Sequence, residues 1–184
     1  MNSAEEKKIF MKKATVLIDT REQKNEHITE VLTNLGIMYE KRKLDYGDYS
    51  FMIDGKDFSH SCVIERKANV DELYGNITTD RERIEKEFDT ISKNANQCTL
   101  LIENCSGWEH LKGYELPELK ADKQGRKVRN IGATVYGTIQ AWQCGNRYNF
   151  EVLFSPDKMR SPLKMIEKFF YYYHNYKKQT APRK

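Results

Sequence analysis

The chain alternates short apolar runs with longer amphipathic stretches. ATVLID (14–19) is an apolar run that ends in charge, the pattern of a buried strand. Ile28, Val31, Leu32 and Leu35 follow at helical spacing, and Gly36 supplies the residue that closes such a helix. IMYEKRKLD (37–45) and DYSFMI (48–53) predict two strands around Gly47, and SCVIERK (61–67) a third strand of the same meander. Ile84, Phe88, Ile91 and Ala95 share one face of a helix that Asp80 would cap. QCTLLIE (97–103) predicts another buried strand. Residues 104–130 are polar and broken by Gly107, Gly113, Pro117 and Gly125, which predicts a long loop. Ile131, Val135, Ile139 and Trp142 predict a helix ending near Gly145, and YNFEVLF (148–154) a strand. Ser161 and Pro162 make a helix start, with Leu163, Ile166, Phe170 and Tyr173 on its inner face.

This order predicts one α/β domain over residues 14–176, with a mixed central sheet and helices on both faces. Residues 1–13 and 177–184 read as solvated tails. A length of 184 residues suits a single domain, and 39% hydrophobic with 32% charged residues excludes global disorder. The net charge of +4 is compatible with a polyanionic partner without demanding one. No apolar run approaches the ~20 residues of a membrane span, and the first residues lack the apolar stretch of a secretory signal. No membrane partner is expected, and the default address is cytoplasmic, or nucleoid-associated in a bacterium. The four cysteines form no CxxC pair. Cys98, Cys105 and His110 match no usual zinc spacing, so buried thiols are the expectation.

Charged residues cluster at three strand ends. IDTRE gives Asp19, Arg21 and Glu22; YGDY gives Asp48; IERKANVD gives Glu65, Arg66, Lys67 and Asp71. Side chains alternate along a strand, so Glu65 and Lys67 share a face and Arg66 points away. Asp48 opens the neighbouring strand and is expected beside Glu65. Two close carboxylates repel, and a divalent cation resolves that repulsion. Mg²⁺ needs only one or two carboxylates because it keeps several waters. Asp19 or Glu22 would complete that shell or hold its waters. Lys67 would orient or deprotonate a water, or neutralise charge on a scissile phosphate. Alone, Glu-x-Lys at a strand end is an ordinary solvated edge. Three acidic groups on the ends of adjacent strands change that balance.

On these residues the chain resembles the XPF-type structure-specific endonuclease domain of the PD-(D/E)xK nuclease superfamily. The family pattern of Gly-Asp, a gap, Glu-Arg-Lys, three residues and Asp is met by Gly47, Asp48, Glu65, Arg66, Lys67 and Asp71. The upstream Asp-x-Arg-Glu is supplied by Asp19, Arg21 and Glu22, and LLIEN resembles the family's next core strand. The resemblance implies Mg²⁺- or Mn²⁺-dependent cleavage of branched or flapped DNA near a duplex–single-strand junction. It implies Asp48, Glu65 and Asp19 as metal ligands and Lys67 acting on the nucleophilic water. Arg21, Glu22, Arg66 and Asp71 would support the site, and Arg81 or Arg83 would meet phosphate. Family members commonly carry a tandem helix-hairpin-helix module after this domain; these 184 residues hold none. A homodimer is therefore an open expectation. In KADKQGRKVR (120–129), Lys123, Arg126, Lys127 and Arg129 are candidate DNA contacts, with a solvated loop as the competing reading.

The aromatic run FFYYYHNY (169–176) is expected to pack, with Phe170 and Tyr173 in the core. Lys41, Arg42 and Lys43 are read either as phosphate contacts or as protection of an edge strand. Three functions compete: an active endonuclease, a non-catalytic DNA-binding subunit of the same fold, and a protein-interaction scaffold with a vestigial site.

Overall fold

The computed structural model describes residues 3–115, 130–145 and 147–181. Along the chain these form α1 (Ser3–Lys13), β1 (Thr15–Asp19), α2 (Glu26–Asn34), β2 (Met38–Arg42), β3 (Tyr49–Ile53), β4 (Lys56–Asp57) and β5 (Cys62–Lys67). There follow α3 (Val70–Thr78), α4 (Arg81–Asn94), β6 (Gln97–Glu103), α5 (Trp108–Lys112), α6 (Ile131–Gln143), β7 (Glu151–Ser155) and α7 (Ser161–Thr180). The sheet order is β2-β1-β3-β5-β6-β7, with the short β4 paired to β3. β3 runs antiparallel to β1 and β5; the other pairs along that order are parallel. The expected mixed α/β sheet is therefore present.

Alternation along the central strands divides two cores. Val63, Leu100 and Ile102 face α3, α4 and α6, where Phe88 and Trp142 fill the space. Val16, Ile18, Ile64 and Leu101 face α1, α2 and α7, where Phe51 stacks between Phe58 and Phe169. β5 and β6 are buried on both faces, so CVI of β5 and LLI of β6 read in sequence as continuous apolar runs ahead of their charged ends.

Four expectations need correction. Residues 37–67 are not a meander: β2 pairs in parallel with β1, at the sheet edge. α2 makes the crossover that a parallel pair requires, burying Ile28 and Leu32. Second, residues 3–13 are not a tail. Phe10 of α1 is 2% exposed and packs edge-on against Phe51 and Phe170. α7 likewise continues through Lys177 to Thr180. Third, α3 was not anticipated. Asn69 caps it by accepting the Glu72 N–H at 2.8 Å, while Glu72 reaches back to the Ala68 N–H at 2.8 Å. Fourth, the segment after β6 holds α5, anchored by Trp108 against Tyr136 and Phe154. α5 lies so close to α6 that a Cβ on Gly132 would stand 1.9 Å from the Leu111 carbonyl oxygen. Asp80 precedes α4 but makes no side-chain cap.

The aromatic run of α7 packs as expected: Phe169 and Phe170 are buried, and Tyr172, Tyr173 and Tyr176 lie against the same core. Lys41 and Arg42 lie on the edge strand, where Arg42 pairs with Asp57. Among the described residues no helix is long and apolar enough to cross a membrane.

Candidate active site

The carboxyl ends of β1, β5 and β6 meet the amino end of β3 at one edge of the sheet. Gly47 makes that junction. Its φ is +70°, and a Cβ there would stand 3.1 Å from the Val63 Cβ. Only glycine turns the chain this tightly against β5 without strain. Asp48 is then fixed between two strands. Its N–H donates to the Ile64 carbonyl at 2.9 Å, and its own carbonyl accepts from the Asp19 N–H at 2.8 Å. Its Oδ2 accepts the Arg66 N–H at 2.7 Å.

β5 sorts its charged end by alternation. Glu65 and Lys67 take the α4 face, and Lys67 Nζ donates to Glu65 Oε1 at 2.7 Å with both side chains buried. Glu65 Oε2 is buried and has no hydrogen-bond partner among the described residues. Burial and the neighbouring Glu65 push the Asp48 carboxyl well above the usual aspartate range, against an opposing pull from Lys67. Burial works against the Lys67 charge, but Glu65 and Asp48 outweigh it and hold this lysine above its ordinary pKa. Lys67 is therefore an ammonium.

Sequence reasoning missed one acidic neighbour. Glu87 of α4 comes up against Glu65, and burial, then Glu65 repulsion, then a hydrogen bond that protonated Glu87 shares with Glu65 push its carboxyl up to about 7, against an opposing pull from Lys67. The signal was present: Glu87 lies three residues after Ile84 and four before Ile91, on the helix's apolar face.

On the opposite face Arg66 is matched at nearly every donor. Nη1 donates to Glu103 Oε2 at 2.7 Å, Nε to Glu22 Oε1 at 3.1 Å, and Nη2 to the Lys24 carbonyl at 3.0 Å. His27 Nε2 lies 2.9 Å from Glu103 Oε1. Burial opposes the Arg66 charge, but Tyr49, Glu22 and Glu103 keep its pKa above the ordinary arginine value. Arg66 and Glu22 thus brace β5 against β6 and the β1–α2 turn.

The remaining candidates divide. Both oxygens of Asp19 are engaged: Oδ1 accepts the Arg21 N–H and Nε–H, each at 2.7 Å, and Oδ2 accepts Arg21 Nη2–H at 3.0 Å and the Leu44 N–H at 2.7 Å. Burial works to raise the Asp19 carboxyl, yet these bonds outweigh it and hold it below the ordinary value. In this arrangement Asp19 braces the turn, with Arg21 and Leu44 engaging both of its oxygens. Asp71, in the first turn of α3, accepts the Tyr114 hydroxyl at 2.6 Å. Arg81 pairs along α4 with Glu85 at 2.8 Å, whereas Arg83 turns toward Glu87 at 4.0 Å and so flanks the site. Lys123, Arg126, Lys127 and Arg129 lie outside the described residues.

No group of three or more His, Cys, Asp or Glu among the described residues is gathered as a metal cage. Cys98 and Cys105 are buried in the core, and His110 bonds Ser106 instead. The Asp48–Glu65 pair nonetheless fits a hard, hydrated divalent cation. It offers oxygen ligands from two carboxylates, and one buried oxygen lacks a donor.

The model of the ERCC4 domain matches residues 18–161. Comparison with curated proteins finds no match. Among solved structures, XPF from Aeropyrum pernix is similar at 16% identity with a TM-score of 0.60, covering 90% of this chain and 68% of that one. A second structure of that protein, in complex with DNA, gives 16% identity and a TM-score of 0.59 over 91% of this chain and 74% of that one. At that identity the likeness establishes the fold. The family match supplies the rest: with its Gly-Asp junction and its Glu-Arg-Lys strand end assembled at one sheet edge, the chain belongs to the ERCC4 domain family.

Proposed function

We propose that the chain is a divalent-metal-dependent DNA endonuclease that hydrolyses phosphodiester bonds in branched, flapped or junction DNA. The observation that carries this reading is the unresolved charge at the end of β5. Asp48 and Glu65 are held close by backbone geometry, and Glu65 Oε2 is buried without a donor. A fold gains nothing in stability from such an arrangement. An ion bound there would resolve it. Asp48 and Glu65 would hold Mg²⁺ or Mn²⁺, which supplies an acidified water and polarisation of the scissile phosphate.

The chain's own residues then have distinct tasks. Asp48 and Glu65 would hold the ion and, through its charge, set where the phosphate sits. Lys67, an ammonium held by Glu65, places positive charge where negative charge builds on the phosphate oxygens as the water oxygen attacks phosphorus. Asp19 and Arg21 hold the turn beside Asp48, and Arg66 with Glu22 fixes β5 from behind. Asp71, bonded to Tyr114, fixes the start of α3. A DNA substrate is supported by the family match, and the junction preference by the resemblance of the motif as a whole.

The test is cleavage of end-labelled flap, fork, single-stranded and plain duplex DNA with Mg²⁺ or Mn²⁺, using wild type, Asp48→Ala and Lys67→Ala. The proposal expects cutting by wild type alone, strongest on branched DNA. A folded protein that binds DNA and metal without cutting would instead be the non-catalytic subunit.

A further inference from the structure

Beside the carboxylates, between the β1–α2 turn and α4, lies an open cavity of about 260 Å³. Its wall includes Arg21, Asp45, Tyr46, Arg83, Lys86 and Glu87. Glu87 is shared with the site, since it meets Glu65 on one side and borders the cavity on the other. Arg21 feels the charges of both Glu87 and Asp48, so the cavity and the catalytic carboxylates adjoin.

Three cations line this space. Lys86 is exposed, and its ammonium has no hydrogen-bond or ion-pair partner among the described residues. Arg83 is 61% exposed, and its two carboxylate neighbours, Asp80 and Glu87, stand at 3.8 and 4.0 Å, beyond hydrogen-bond reach. Arg21 is also 61% exposed, but Asp19 and the Leu44 carbonyl fix its guanidinium from behind. A cation already held in place loses less freedom on meeting an anion. Tyr46 is buried and its hydroxyl is used by His60, so it forms a wall and not a stacking platform. Asp45 also borders the cavity, 3.5 Å from His60. With these two carboxylates on the wall, the cavity suits a single anionic group seated among the three cations, not an extended polyanion.

We propose that this cavity is a subsite for one backbone phosphate of the substrate strand, next to the scissile one, with Lys86 and Arg83 as its contacts and Arg21 as a fixed third donor. The proposal rests on the nuclease reading for the identity of the strand, but not for the binding itself. An anchored neighbouring phosphate sets the register of the strand over Asp48 and Glu65. The cavity thereby selects a strand whose backbone can bend into the cleft, as at a junction.

The experiment measures DNA binding without cleavage, by fluorescence anisotropy of a labelled flap substrate with Asp48→Asn protein across a salt series. Lys86→Ala and Arg83→Ala, each in that background, should weaken binding about 3- to 10-fold and reduce the slope of log affinity on log salt by about 1. Lys164→Ala, remote on α7, should change neither. A scan of single neutral methylphosphonates along the strand should find one position, adjacent to the cut, where the loss seen with Asp48→Asn disappears once Lys86 is alanine. Unchanged affinity and slope in both variants, or methylphosphonate losses that Lys86→Ala never removes, would overturn the subsite. Binding of free inorganic phosphate with equal dependence on Lys86, without any position-specific methylphosphonate effect, would also overturn it in favour of a small-anion site. Dependence on Lys86 and Arg83 in a wild-type background that cuts no DNA would leave the subsite standing and remove the catalytic reading.

Discussion

The last residues of β5 face two environments within one strand. Behind the sheet, Arg66 meets Glu22, Glu103 and a backbone carbonyl, and His27 completes the network. In front, Glu65 has one satisfied oxygen and one orphan, with Asp48 and Glu87 adding negative charge around a single ammonium. Both groups are buried and charged, and both are built around three consecutive residues, Glu65, Arg66 and Lys67. The difference is satisfaction. A buried ionic network with its bonds made serves the fold, whereas one left short of a cation serves a ligand. Motif membership alone does not separate the two roles, since Arg66 lies inside the same Glu-Arg-Lys sequence.

That comparison can be broken most readily at the front. Asp48→Ala or Glu65→Ala should lower single-turnover cleavage at least about 10³-fold, the scale for loss of a group that stabilises transition-state charge. Asp48→Ala should leave metal-free stability equal or higher, because it relieves repulsion, whereas Glu65→Ala also strands the buried Lys67 ammonium and should destabilise. For Asp48→Ala, kinetics paired with denaturant unfolding would expose a purely structural role as parallel losses. At the back, Arg66→Ala should cost about 3–5 kcal/mol of stability, since it strands two buried carboxylates. Chemical denaturation measures this, and a loss under about 1 kcal/mol would mean the network is solvated in solution.

A third effect is pH dependence of the metal-free protein. Asp48 and Glu87 have folded-state values raised above their unfolded ones. Their contribution is complete below the unfolded values and is lost as pH rises through the folded ones, to about 7 for Glu87. Melting temperature should therefore fall between about pH 5 and pH 8, and Glu87→Gln should flatten the fall by up to about 3 kcal/mol. A profile identical in Glu87→Gln and wild type would remove Glu87 from the site. The smallest effect belongs to Tyr114→Phe, which deletes the bond to Asp71. It should cost about 1 kcal/mol and change cleavage less than the front-face variants.

The sequence made the front of the site legible because strand alternation and a long motif act over short distances. Asp48, Glu65 and Lys67 needed only a strand end and a glycine turn. What it hid depended on long-range pairing. The position of β2 beside β1 is set by the crossover through α2, which local periodicity does not encode. α1 is mostly polar, and only Phe10 betrays its docking. Asp19 carried the motif's acidic label, yet the return of the chain at Leu44 converts it into a brace. Glu87 was visible as a charge on an apolar helix face and became meaningful only once α4 lay over β5. α3 could have been read from Asn69 and Glu72, a capping pair that overlaps the end of the motif.

The central claim is that the front face is short of a divalent cation, and thermal unfolding at about pH 8 with and without millimolar Mn²⁺ tests it without DNA. Binding to the folded state alone raises stability by about 2.7 kcal/mol at a hundredfold excess over Kd. The account predicts a rise of several degrees in wild type, retained in Lys86→Ala and lost in Asp48→Asn and Glu65→Gln. An unchanged melting temperature in wild type, or an equal rise in all four proteins, would contradict it.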